Sequence, residues 1–197
     1  MSAADYVIDL ILSVVLIVGA YQFYFWCQRN PLGAPREFQF TLDDRIPYLP
    51  GWVWVYSFLY YPVILYVNLL VDSPKAFTHL AMSYLLLLAL QMVFFVTFPV
   101  VTPTTWRRIV NREQTSAERF LAFVRRFDAR SNSFPSMHTS VAMLTALHLS
   151  TTVGPWAYAF PLLIGLSCLF TKQHYLVDVP AGAVLGLAAF HVYRLAV

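Results

Sequence analysis

Between Phe77 and Val101 the chain carries no Asp, Glu, Lys or Arg. A run longer than the ~20 apolar residues that cross a bilayer is stable only where protein or lipid surrounds it. Inside hydrocarbon its backbone groups must pair within the segment, which makes it a helix. Leu10 to Trp26 is a second uncharged run, and Trp52 to Val71 a third, opened by Trp52, Trp54 and Tyr56 as an interfacial aromatic belt. Three shorter apolar segments, 137–153, 155–170 and 176–196, close the chain. The composition agrees. Of 197 residues 59% are hydrophobic and 12% charged, about half the ~25% charge of ordinary globular chains. So few charges cannot cover a soluble surface, which excludes a cytosolic enzyme, a nucleic-acid-binding module and a disordered linker.

The expected architecture is all-α: one polytopic membrane helix bundle spanning residues 1–197. It has six transmembrane helices, at approximately 10–26, 52–71, 77–101, 137–153, 155–170 and 176–196, and a short interfacial amphipathic helix. Gly154-Pro155 breaks the fourth span from the fifth. Gly182 and Gly186 form a G-x-x-x-G that lets another helix approach closely. No Lys or Arg precedes Arg29, so a cleavable signal peptide is not expected. Cys27 and Cys168 lie in or beside apolar runs and form no zinc pattern. Six spans place the connections after the first, third and fifth on one side, and nearly all polar residues fall there. The chemistry is expected on that side.

Thr171-Lys-Gln-His-Tyr-Leu-Val-Asp178 is the strongest constellation. His174 and Asp178 are spaced to share one helix face. A carboxylate on one imidazole nitrogen sets the tautomer and leaves the other to attack or take a proton. The bland alternative is a satisfied polar pair at a helix mouth, but ionisable groups at membrane depth are functional by default. The second constellation is Asn132-Ser-Phe-Pro-Ser-Met-His-Thr139. Ser133 or Asn132 can cap the helix that follows and Pro135 suits its first turn. The free N–H groups there attract an anion, with His138 beside it. Alone this is a capping sequence with an incidental histidine. Two histidines opening two helices on one membrane face make a site.

Seven arginines, Arg107, Arg108, Arg112, Arg119, Arg125, Arg126 and Arg130, crowd the stretch 102–136. Within it Ser116 can cap a helix whose Phe120, Leu121, Val124 and Phe127 form an apolar stripe, a membrane-surface pattern. Most of these arginines read as headgroup anchors, with Arg107 or Arg108 as a bidentate phosphate ligand. His79, His148 and His191 read as packed or interfacial histidines. Two histidines, a carboxylate, a helix N-terminus and surplus cations together describe phosphoryl transfer to a histidine nucleophile, in which catalysis is positioning plus charge stabilisation.

On these residues the chain resembles a family. P-S-x-H at 135–138 and S-x6-H-x3-D (Ser167, His174, Asp178) look like the second and third motifs of the type 2 phosphatidic acid phosphatase superfamily. "NSFPSMH" and "TKQHYLVDVPAG" are most similar to its inositol-phosphorylceramide-synthase-like branch, while the first half matches only in span count and in "IPYLPGW". The resemblance implies catalysis without metal or cofactor. His174 attacks phosphorus, Asp178 orients it, and His138 protonates the leaving alkoxide and later activates water or an acceptor alcohol. Ser136, Arg107, Arg108 and Lys172 form the expected phosphate-binding set. Two departures matter. Cys168 stands where the third motif usually has arginine, with Lys172 as the substitute cation, and the first motif K-x6-R-P is absent, with Arg107 its nearest equivalent. A weaker cation set suits a phosphodiester monoanion, hence a transferase.

The expected function is therefore an integral-membrane lipid phosphatase or phosphotransferase working through phosphohistidine. Head-group transfer to ceramide or another lipid alcohol is one alternative, and a non-catalytic transporter or scaffold with a buried His–Asp pair is another. The expected partners are membrane lipids, a phosphorylated substrate and a lipid alcohol acceptor, with no nucleic acid. A di-iron hydroxylase would need more than five scattered histidines. Orientation signals conflict. All of the 13 Lys and Arg except Lys75 and Arg194 fall on the active-site side, which points to the cytoplasm. The resemblance implies the extracytoplasmic face, which is the expectation adopted.

Overall fold

A computed structural model describes residues 1–38, 40–107, 115–128 and 130–196. The described residues are mostly helical. Helix α1 (Ala3–Arg29) starts well before the expected span because Ser2 and Asp5 close a capping box: Asp5 N–H donates to Ser2 Oγ at 3.3 Å and Ser2 N–H to Asp5 Oδ2 at 2.7 Å. Strand β1 (Arg36–Glu37) and the short helix α2 (Thr41–Arg45) follow. Helical backbone then runs through Pro50–Leu70. Its middle is a π-helical turn over Val55–Leu59, followed by α3 (Tyr60–Tyr66). Pro62 has no N–H for the Phe58 carbonyl, so regular i→i−4 bonding fails where the wide turn sits.

Helix α4 (Pro74–Thr97) is capped by Ser73, whose Oγ accepts from Ala76 N–H at 3.2 Å, with Pro74 at its first position. Strand β2 (Val100–Val101) pairs in parallel with β1, Arg36 opposite Val100 and Glu37 opposite Val101. After α5 (Thr104–Arg107), the amphipathic helix α6 (Ser116–Phe127) appears as expected. Its cap is Thr115 rather than Ser116, in a capping box with Glu118. Phe123 and Phe127 stay exposed while Leu121 is buried.

Three helices complete the chain: α7 (Met137–Val153), α8 (Ala159–Phe170) and α9 (Asp178–Ala196). Gly154, at φ +63°, reverses the backbone. Helix α8 thus returns along α7, Phe160, Ile164 and Cys168 clustering with Ala142. The G-x-x-x-G of α9 lies against α7: a Cβ on Gly182 would meet the Ser136 carbonyl, and one on Gly186 the Ser140 carbonyl. Both contacts advance by four residues, so α7 and α9 run parallel with their N-termini side by side.

Among the described residues, four segments are long and apolar enough to cross a membrane: Ala3–Arg29, Pro50–Leu70, Pro74–Thr97 and Met137–Phe170. The expected count of six spans is therefore corrected. The fourth and fifth expected spans form one apolar stretch, Met137–Phe170, folded at Gly154, where a 3-10 turn over Gly154–Tyr158 leads into α8. The last expected span is α9, which carries Asp178, His191 and Arg194 and is not among the four. The chain is a helical membrane protein.

Candidate active site

The parallel contact of α7 and α9 assembles the site. Ser136 N–H donates to the Asp178 carbonyl at 3.0 Å, tying the two helix N-termini together. His138, in the first turn of α7, and His174, in the turn before α9, then stand with ring centroids 6.2 Å apart. Asp178 is fully buried and His174 nearly so.

His174 Nδ1 lies 2.9 Å from the Ser133 carbonyl and 3.3 Å from Asp178 Oδ2. A carbonyl oxygen only accepts, so Nδ1 carries the hydrogen and Nε2 is left with its lone pair. The expected His–Asp pairing is present, but the nearer partner is a backbone carbonyl. The same Asp178 oxygen accepts Tyr175 N–H at 2.8 Å and the Ser133 hydroxyl. Asp178 therefore orders the turn as much as it orients the ring. Ser133 N–H in turn donates to the Val100 carbonyl at 3.1 Å, which couples the 132–138 segment to β2.

His138 is held by aromatic rings. Tyr56 and Tyr60, presented by the π-helical turn and α3, lie 4.3 and 4.9 Å from its ring centre, and the Tyr56 hydroxyl is 3.4 Å from Nδ1. Tyr56 is buried here rather than serving the interfacial belt expected of it. A small cavity of about 10 Å³ separates the histidines, lined in part by Asn132, Gln173, Tyr24 and Asp128, about the size of one water.

The expected phosphate ligands are placed unevenly. Ser136 lies beside the histidines but spends its hydroxyl on capping α7, accepting Thr139 N–H at 3.3 Å; the cap expected of Asn132 or Ser133 is Ser136, and Pro135 precedes the helix. Arg107 reaches the rim, where it donates to Asp128 Oδ2 at 2.9 Å and to the Asp128 carbonyl at 2.7 Å. Arg108 lies outside the described residues. Lys172 is not among the residues lining the cavity. Its ammonium donates to the Asp43 carbonyl at 2.6 Å and lies 5.1 Å above the Trp106 ring, and burial lowers its pKa, with Asp43 opposing the shift.

The residues that sequence reasoning missed hold the two motifs from outside. Asp43 Oδ1 accepts Leu176 N–H at 2.6 Å, clamping the His174 turn from α2; burial raises its pKa and that hydrogen bond lowers it. Nothing in "TLDDR" marks this role. Gln91 of α4 donates to the Pro135 carbonyl at 2.7 Å and accepts from Ser140 Oγ at 3.1 Å. A lone amide in the uncharged run 77–101 was a readable signal. The remaining histidines are packed as expected where their partners are visible: His79 Nδ1 meets Tyr193 Oη at 2.8 Å and His148 Nε2 meets Ser83 Oγ at 2.9 Å. Of metal-ligating groups, His138, Cys168 and His174 place one ligand atom each within 4.8 Å of one another.

A second, much larger cavity of about 860 Å³ adjoins the first. It is lined by α1, the Pro50–Leu70 segment, α4, α6 and α7, with Tyr21, Tyr61, Leu88, Phe120 and Val124 among its walls, and His138 belongs to both cavities. The fold and the site thus define a helical membrane protein with a paired-histidine centre at one end and an apolar chamber beside it. The family model of the PAP2 superfamily matches residues 44–192, and the chain belongs to that superfamily of phosphatases and phosphotransferases acting on phosphate esters. No curated protein and no solved structure matches.

Proposed function

We propose that this chain is a lipid phosphatase or phosphotransferase that works through a phosphohistidine on His174, without metal or cofactor. The observation that carries the lipid reading is the shared position of His138. Its ring centre lies 6.2 Å from that of His174, and the same residue lines an apolar chamber of about 860 Å³, a volume suited to a bound organic ligand. A lipid phosphate lies with its acyl chains in the chamber and its phosphorus between the histidines. His174 Nε2 attacks phosphorus while Asp178 and the Ser133 carbonyl stabilise the imidazolium through Nδ1–H. The phosphorus–oxygen bond to the lipid breaks, and protonated His138 gives its proton to the departing alkoxide. His138 then takes a proton from water or an acceptor alcohol, whose oxygen displaces His174 and releases phosphate or a new phosphodiester.

Phosphate oxygens are held by the N-terminus of α7 at Ser136 and by Arg107, which exchanges Asp128 for the substrate anion; Arg108 joins them, and Lys172 does so only on leaving the Asp43 carbonyl. The site opens only when its small cavity widens, and Asp128 and Gln173 are the side chains that must yield. The inositol-phosphorylceramide-synthase-like branch, with ceramide or another lipid alcohol as acceptor, is the second reading. It is favoured by the shortage of cations between the histidines, since Arg107 is neutralised by Asp128 and Lys172 is turned to Asp43. The site faces the extracytoplasmic side.

The deciding experiment is lipid mass spectrometry on purified protein and its His174→Ala variant, incubated with a mixed phospholipid extract, ceramide and a chelator. Loss of a phosphomonoester with release of phosphate, in wild type alone, makes it a phosphatase. A new phosphodiester with matching diacylglycerol makes it a transferase. Identical profiles for the two proteins would sink both and favour a transporter or scaffold.

A further inference from the structure

The geometry points to a second use of the same centre: His138, Cys168 and His174 form a binding site for Zn²⁺, which occupies the position of the phosphoryl group and blocks it. The inhibitory consequence rests on the function proposed above; the metal site does not. Three elements contribute one ligand each, the first turn of α7, the last turn of α8 and the turn before α9. Their ligand atoms lie within 4.8 Å of one another. Tetrahedral zinc, at ~2.1 Å from nitrogen and ~2.3 Å from sulfur, needs its ligands about 3.5 Å apart, so modest side-chain rotation closes the set.

The surroundings of both histidines prepare them for this role. Metal-bound imidazoles almost always donate their other N–H to a carboxylate or a backbone carbonyl. His174 Nδ1 already has both, Ser133 O at 2.9 Å and Asp178 Oδ2 at 3.3 Å, which leaves Nε2 as the ligand. His138 Nδ1 faces the Tyr56 hydroxyl at 3.4 Å, again leaving Nε2. Cys168 adds the thiol, and a His₂Cys set is a borderline-soft donor group that favours zinc over magnesium or calcium. Gln173, buried in the wall of the intervening cavity with no partner for its amide oxygen or nitrogen, is placed to hold a water on the fourth, open position. On binding, the Cys168 thiol releases its proton to solvent and the thiolate donates its lone pair to the metal. Both Nε2 lone pairs are then engaged, so His174 cannot attack phosphorus and His138 cannot carry a proton.

The test uses the full chain in detergent, with Co²⁺ as the optical probe and Zn²⁺ as competitor. Wild type is expected to show a near-ultraviolet thiolate-to-cobalt charge-transfer band that Zn²⁺ abolishes. Cys27→Ser should keep the band, while Cys168→Ser and Cys168→Ala should lose it and weaken Zn²⁺ binding at least about tenfold, the lower end of what losing even an outer partner of a metal site costs. In turnover assays Zn²⁺ should inhibit wild type, a chelator should reverse this, and Cys168→Ser should need at least about tenfold more Zn²⁺ relative to its own uninhibited rate. Absence of the band from wild type, or its persistence in both Cys168 variants, overturns the proposal. Equal inhibition of wild type and Cys168→Ser also overturns it, because the metal then acts elsewhere. A protein with the band but no turnover on any lipid keeps the metal site and loses the enzymatic reading.

Discussion

Asp43 and Leu176 are joined by a 2.6 Å hydrogen bond from the Leu176 backbone N–H to the Asp43 carboxylate, across 133 residues of chain. Two residues from Leu176 stands His174, and the Asp43 carbonyl accepts the Lys172 ammonium. The turn that carries His174 is therefore clamped on both sides by a short helix outside the family's motifs. Asp43→Ala leaves that N–H without its partner and should cost about 1–3 kcal/mol of stability, whereas Asp43→Asn, which keeps an acceptor oxygen, should recover most of it. Chemical denaturation of the two variants in detergent measures the difference, and equal losses would show that the clamp does not act through this bond.

Asp178→Asn should reduce kcat by roughly 100-fold or more, as the imidazolium loses its counter-charge. The Ser133 carbonyl still fixes the His174 tautomer, so a measurable residual rate is expected. Rates near those of wild type would remove Asp178 from the reaction.

Gly182→Ala drives a methyl group into the Ser136 carbonyl and should lower stability by about 1–3 kcal/mol. Gly19→Ala in α1 meets nothing within 4 Å and should be neutral or stabilising by up to ~1 kcal/mol, the helix penalty of glycine. Thermal melts of the pair check the parallel packing of α7 on α9, and the same result for both would contradict it.

Ala20→Trp narrows the apolar chamber from α1. Turnover of a long-chain lipid phosphate should fall at least about tenfold, roughly the cost of a poorly fitting apolar group, while a short, water-soluble phosphate ester should be hydrolysed at the wild-type rate. Parallel losses on both substrates would mean that the chamber does not hold acyl chains.

Gly33 is exposed, with open space around it. It sits at the site end of the bundle, where the neighbouring Leu32 N–H donates to the Val96 carbonyl. In sealed cells, a Gly33→Cys variant should react with a membrane-impermeant maleimide, since both native cysteines are buried. Labelling only after permeabilisation would place the site in the cytoplasm, as the arginine distribution suggests.

The charge-free runs dictated the helices and the membrane, because a backbone in hydrocarbon has no other way to pair its N–H and C=O groups. The chain order of the motifs was likewise readable, since P-S-x-H and H-x3-D each work within a single turn of local backbone. The two weakest expectations were those that depended on distance in space. Lys172 is expected at the phosphate from its place two residues before His174, and Arg107 from its place at the end of the third span, yet the Asp43 main-chain carbonyl and the Asp128 carboxylate draw them aside. Hydropathy predicts six spans, but it cannot tell two separate spans from one apolar stretch folded at a left-handed glycine.

The sequence by itself determined a helical membrane protein with a His–Asp pair and a second histidine, each at the mouth of a helix. Only the tertiary structure decided that those mouths lie together. Gly182 and Gly186 let α9 settle against the backbone of α7, and close packing of two backbones is a property of both helices at once, invisible in either alone. The same is true of Asp43, Gln91, Tyr56 and Cys168: their roles come from what the folded chain sets beside them.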